Sequence, residues 1–124
     1  MTWDERLKTG LIESGMGWVP FWLEAMEHQL DEFRTAQNRV LKLRPKEYFR
    51  RHFWVSYWFE DYAPKHMLEE IGIDRVMFET DFPHPTLLYP GVQDKLVETL
   101  DGYDYETRKR VLERNAAELY NLSF

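Results

Sequence analysis

A parallel α/β fold is what this sequence predicts, and three observations predict it. Two segments rich in β-branched and aromatic residues, Phe53–Phe59 (FWVSYWF) and Arg75–Glu79 (RVMFE), read as strands. The first is apolar on both faces with no breaker, the pattern of a strand covered on both sides. Around them apolar residues recur at three- and four-residue steps, which marks amphipathic helices. Strands alternating with helices argue for parallel pairing through right-handed crossovers.

Taken in order, Met1–Gly10 is polar and without clear period. Leu11–Gly17 (LIESGMG) reads as the tail of a strand running into a glycine-rich turn. Its bare glycines could cradle an anion, although a tight turn is the commoner use of such a pair. From Trp18 the period changes. Pro20 suits a first helical turn, and Trp22, Leu23, Met26, Leu30 and Phe33 form one apolar face. His28 falls on the polar side and reads as solvated. Thr35–Arg44 is polar and basic, a helix end and loop whose scattered charges read as a solvated surface.

Pro45 begins a short helical turn through Phe49, and the strand Phe53–Phe59 follows, ended by Glu60-Asp61. Asp61 or Tyr62, then Pro64, opens a helix carrying Met67, Leu68 and Ile71, with Gly72 placed to close it at positive φ. After the strand Arg75–Glu79 comes a loop, Thr86–Gly91. Val92–Leu100 then reads as a helix with Leu96, Val97 and Leu100 inward. Asp104 is a good N-cap for a last amphipathic helix carrying Val111, Leu112, Ala116 and Leu119.

Thr80-Asp81 ends the third strand, and Phe82-Pro83-His84-Pro85 forbids regular structure, since each proline lacks an N–H and restricts its predecessor. A carboxylate therefore sits at the C-terminal tip of a buried strand, with an imidazole three residues later. In parallel α/β folds that rim binds ligands. An Asp before a turn can equally be a turn-former or cap. Both readings stand at this point.

Composition narrows the classes. At 124 residues the chain is one domain at most, and its five Trp, seven Tyr and eight Phe exclude a disordered chain. A formal net charge of −6 argues against nucleic acid or an anionic membrane as partner. No cysteine means no disulfide framework and no thiolate chemistry. With no cleavable signal and no apolar run able to span a bilayer, a cytoplasmic soluble protein is the expectation. Three strands make a narrow sheet with both edges open. A full (β/α)₈ barrel needs ~250 residues, so the chain is expected to hold about its last three βα units.

The run VMFETDFPHP, with ESGMGWVPFWLEAMEHQLDEF before it and RKRVLERNAAELYNL after it, resembles the C-terminal part of the amidohydrolase-related family. That family comprises metal-dependent TIM-barrel hydrolases and the decarboxylases close to aminocarboxymuconate-semialdehyde decarboxylase. The resemblance covers nearly the whole chain from Leu11 onward and implies that 1–124 is a partial domain of this type. It implies a metal-dependent hydrolase acting on a small organic substrate, or a decarboxylase of an aromatic or dienoic carboxylate. Asp81 matches the aspartate at the end of the eighth barrel strand, which contacts the metal or its bound water and serves in proton transfer. His84 matches a histidine frequent in the same turn, in a supporting role. Glu13 falls near the end of the sixth strand, where many members carry a catalytic histidine. Asn115-Ala116-Ala117 matches a structural run.

The resemblance also implies a divalent metal, zinc, in the intact parent. Yet the family's His-x-His pair and fifth-strand histidine have no counterpart, since none of His28, His52, His66 and His84 has a His-x-His neighbour. A transition-metal site wants three or more converging ligands, so this chain alone is expected to bind no metal and to be inactive. A homo-oligomer, or pairing with a missing barrel half, is the expected assembly. A non-catalytic oligomerising α/β module is the alternative of another class.

Overall fold

The structure is a computed structural model and describes residues 6–33 and 41–123. Three strands, β1 (Thr9–Leu11), β2 (Phe53–Tyr57) and β3 (Val76–Phe78), form one parallel sheet in the order β1-β2-β3. Gly10 lies opposite Trp54, and Val55 opposite Val76. Helices α1 (Val19–Glu32) and α2 (Pro45–His52) connect β1 to β2, while α3 (Tyr62–His66) and α4 (Leu68–Ile71) connect β2 to β3. After β3 come α5 (Val92–Leu100) and α6 (Tyr105–Lys109). The latter runs through a π-helical stretch, Arg110–Arg114, into α7 (Asn115–Tyr120). No helix among the described residues is long and apolar enough to cross a membrane.

Local signals act largely as expected. Pro20 lies in the first turn of α1. Asp104 caps α6 by accepting from the Thr107 N–H (2.7 Å). Gly72 ends α4 at φ +111°, where a side chain would be strained.

Four boundaries or orientations differ from expectation. The first strand occupies Thr9–Leu11, earlier than expected, because Glu13 turns the chain at φ +55°. β2 stops at Tyr57, two residues before Phe59, as the chain bends to bring Glu60 towards β1. The apolar stripe of α1 is buried at Val19 and Leu23 but fades outward, with Phe33 57% exposed. A 14-residue helix is about 21 Å long, while the strands beneath reach only about 10–17 Å, so α1 overhangs the sheet. Val97, expected inward, is 63% exposed. The inward stripe of α5 instead runs through Leu96, Thr99 and Leu100, with the Tyr57 and Thr99 hydroxyls 3.4 Å apart. The stretch 34–40, expected as helix end and loop, lies outside the described residues.

The sheet is covered on both faces, as the doubly apolar β2 predicted. On one face Val55, Tyr57 and Val76 pack with residues of α1, α2, α4 and α5. On the other, Trp54 and Met77 pack against Leu119 and Ala116 of α7. A Cβ on Gly10 would come within 2.8 Å of the Leu119 side chain, so α7 lies close over β1 as well. Trp54, 1% exposed, carries the Arg75 guanidinium over its ring at 4.4 Å. This stacking favours a delocalised cation on an aromatic face.

Asn115 is fully buried and joins this face to the edge of β3. Its amide donates to the carbonyls of Ile73 (2.7 Å) and Val76 (2.8 Å). The Glu79 N–H donates to Tyr57 O (3.0 Å). Met77 and Glu79 thus address β2, while Val76, Phe78 and Thr80 address the outer edge. Asn115 occupies that edge at Val76, and the Leu88 N–H occupies it at Thr80 O (3.2 Å). The outer edge of β3 is therefore partly covered by the chain itself, which limits strand addition there.

Candidate active site at the C-terminal ends of the strands

All three strands deliver polar side chains to one rim. β1 leads to Glu13, β2 carries Ser56 and leads to Glu60, and β3 leads to Glu79 and Asp81. Glu13 (φ +55°) and Asp81 (φ +59°) are two of the three non-glycine residues in the left-handed region among the described residues. Asp tolerates that conformation better than Glu. Backbone strain held in place at a rim is a feature of functional sites.

The Asp81 side chain is enclosed, only 3% exposed. The Thr86 hydroxyl donates to Asp81 Oδ2. Since that proton is directed at Asp81, His84 presents its own from Nδ1, which lies 3.1 Å from Asp81 Oδ2 and 2.9 Å from Thr86 Oγ1. The Thr86 hydrogen bond, with that of His84 behind it, holds the Asp81 carboxyl below the usual carboxylate range. Asp81 is thus ionised at neutral pH, while His84 is 58% exposed. The loop also presents Phe82 and Tyr89 outward, 76% and 78% exposed.

Glu79 points into the rim from the β2-facing side. Its Oε1 accepts the Glu13 N–H (2.9 Å), an N–H that Ser56 Oγ also accepts (3.1 Å). Burial pushes the Glu79 carboxyl up, and the charges of Glu13 and Asp81 add to this, against the lowering effect of its hydrogen bonds to Ser56 and Glu13. The structure therefore brings Glu13, His84 and Asp81, all read from the sequence, to one rim.

The glycine-rich turn has a different role from anion binding. The Glu60 carboxylate accepts the N–H groups of Met16 (2.9 Å) and Gly17 (2.9 Å) at the start of α1. Gly15 sits at φ +67°, and a Cβ there would be 3.1 Å from Glu60 Oε2. The protein's own carboxylate fills the cradle. Replacing Glu60 by Ala should take the acceptor from the part-buried Met16 N–H and the exposed Gly17 N–H and cost about 1–3 kcal/mol. Added formate at tens of millimolar should recover part of the melting temperature. Equal melting of variant and wild type, with or without formate, would contradict this.

Sequence reading missed Thr86, Glu79, Ser56 and Glu60 as partners. Only Glu79 carried a signal, as a charged residue at an inward position of a buried strand. The remaining histidines lie elsewhere. His52 is buried with Nδ1 2.8 Å from Leu7 O, His28 pairs with Glu32 on the surface, and the His66 ring rests on Tyr62.

The donor set does not make a metal centre. Among the described residues no group of three or more His, Cys, Asp or Glu could hold a metal ion. Glu13, Glu79 and Asp81 converge, but Glu79 Oε1 is engaged by the Glu13 N–H and Asp81 Oδ2 by Thr86 and His84. One carboxylate does not satisfy the coordination such ions need.

The sequence profile of the amidohydrolases matches residues 5–122. The chain belongs to the amidohydrolase family. Among relatives of this amidohydrolase chain, the 2-amino-3-carboxymuconate-6-semialdehyde decarboxylase of Dictyostelium discoideum is 30% identical over 110 residues, 87% of this chain and 30% of that protein. The crystal structure of 5-carboxyvanillate decarboxylase from Sphingomonas paucimobilis is 26% identical with a TM-score of 0.76, over 95% of this chain and 35% of that one. A dihydroxybenzoic acid decarboxylase from a Polaromonas species, crystallised with manganese and the inhibitor 2-nitroresorcinol, shares the fold at 24% identity and a TM-score of 0.69, over 94% of this chain and 34% of that one. The amidohydrolase chain thus spans about a third of the length of these relatives.

Proposed function

We propose that residues 1–124 supply the last three βα units of an amidohydrolase-type TIM barrel, and that Asp81 is its proton-transfer residue. The observation that carries this reading is the Asp81 carboxylate itself. It is enclosed, ionised and fixed by Thr86 and His84 at the C-terminal ends of parallel strands, where such folds bind ligands. The reaction we favour is decarboxylation of an aromatic or dienoic carboxylate, because the Dictyostelium relative at 30% identity and the Sphingomonas structure at 26% are decarboxylases. Hydrolysis of a small organic substrate is the second reading, since the family is named for it.

In decarboxylation a C–C bond would break, CO₂ would leave, and the carbon would take up one proton, which the ionised Asp81 would first accept from water or a substrate hydroxyl and then pass on. In hydrolysis the same carboxylate would accept a proton from the attacking water. His84 and Thr86 fix the Asp81 rotamer in either case. Glu13, on the same rim, would be a second carboxylate of the site. A divalent cation is part of this proposal, zinc on the family resemblance, while manganese was bound in the Polaromonas relative. Asp81 would be one donor to it, and the other donors would come from strands other than these three. The proposed setting is the cytoplasm.

The test is a chimera in which residues 7–123 replace the corresponding third of the Sphingomonas enzyme, supplied with manganese or zinc. The chimera should release CO₂ from 5-carboxyvanillate or a related aromatic carboxylate, and the 124-residue chain alone should not. A folded, metal-loaded chimera inert towards aromatic and dienoic carboxylates, esters and amides would overturn the enzymatic reading. It would favour the oligomerising module.

A further inference from the structure

One polar node ties all three strand ends together inside the rim. Glu79 Oε1 and Ser56 Oγ both accept the Glu13 N–H, at 2.9 and 3.1 Å, and the Ser56 hydroxyl lies 3.3 Å from Leu11 O. The residue held by this node, Glu13, has a φ of +55°. No glycine relieves that conformation, so something outside the turn must stabilise it.

Released from its two acceptors, the Glu13 N–H would lose its only contacts with β2 and β3 among the hydrogen bonds described, and the turn would be free to adopt negative φ. The Glu13 side chain would then lose its place on the rim. We infer that Glu79, with Ser56, is a positioning residue that holds the Glu13 turn in its left-handed conformation and so keeps Glu13 on the rim it shares with Asp81. The inference rests on the reading of Asp81 as the proton-transfer residue only for its functional meaning. Its geometry can be tested without turnover.

The chemistry of the node separates a positioning role from a role for charge. Glu79→Gln keeps a carbonyl oxygen that can accept the Glu13 N–H, whereas Glu79→Leu keeps the bulk and removes the acceptor. Ser56→Ala removes only the longer of the two contacts. The experiment is NMR on the full chain, reading amide hydrogen exchange at Glu13 and its intraresidue HN–Hα coupling and nuclear Overhauser contact, which report the sign of φ. Exchange at Glu13 should rise ~10–100-fold in Glu79→Leu, the scale of a lost charge-assisted hydrogen bond, and the positive-φ signature should vanish.

Glu79→Gln should restore both signals to near wild type, a rescue that general destabilisation would not produce. Should Glu79→Leu fail to fold, Ser56→Ala and Glu79→Gln carry the test. The first should raise exchange several-fold while keeping the positive-φ signature, and the second should change neither. Unchanged exchange in Glu79→Leu, or loss of both signals in Glu79→Gln, overturns the positioning role. Either result leaves the role of Asp81 to the activity of the chimera, so the two ideas can fail separately.

Discussion

Asp81→Asn should reduce turnover of the active chimera by ~10²–10⁴-fold, the usual worth of a general acid–base group, while leaving the fold intact. Asn adopts the left-handed backbone that Asp81 occupies at φ +59°, and its carbonyl can go on accepting the Thr86 hydroxyl. What it lacks is charge and basicity. The same variant has a signature in pH. Because the folded state holds Asp81 below its ordinary range, the folded protein binds that proton less tightly than the unfolded chain does. Asp81 therefore contributes stability above the unfolded value of about 4, and the contribution is lost as pH falls through the folded value. Wild type and variant should differ in melting temperature above pH ~4 and converge towards the acid end. Activity within a few-fold of wild type would remove Asp81 from the chemistry, and parallel melting curves at every pH would remove its charge from the stability.

The largest expected effect on stability belongs to Asn115→Ala. The side chain is fully buried and supplies donors to two carbonyls, Ile73 O and Val76 O, at 2.7 and 2.8 Å. Removing it strands both, at about 1–3 kcal/mol each, and opens a gap under α7. A total of roughly 2–6 kcal/mol should lower the melting temperature by on the order of 10–20 °C. Asn115→Leu should be no better, because filling the space does not replace the donors. A melting temperature within 2–3 °C of wild type, roughly the effect of under 1 kcal/mol, would show that the two carbonyls find other donors.

The sequence was most legible where physics is local. Apolar spacing located α1, β-branched and aromatic residues located β2, and Asp104 and Gly72 announced a cap and a stop. Asp81 was legible for the same reason, since a strand ending in Thr80-Asp81 before two prolines has few other conformations. What stayed hidden depends on residues far apart in the chain. Glu60 answers the N–H groups of Met16 and Gly17, and Glu79 answers that of Glu13, 66 positions away. Neither pairing leaves a local trace. Val97 and the outer half of α1 misled for a related reason. Periodicity states which face is apolar, but the length and position of the neighbouring elements decide how much of it is covered.

α7 closes the face of the sheet that carries Trp54 and Met77, and Phe82 and Tyr89 stand exposed on the loop after Asp81. If the proposed enzyme takes its substrate at this rim, those two rings flank the way in and out. Bulk added at Phe82 or Tyr89 should then slow arrival and departure together.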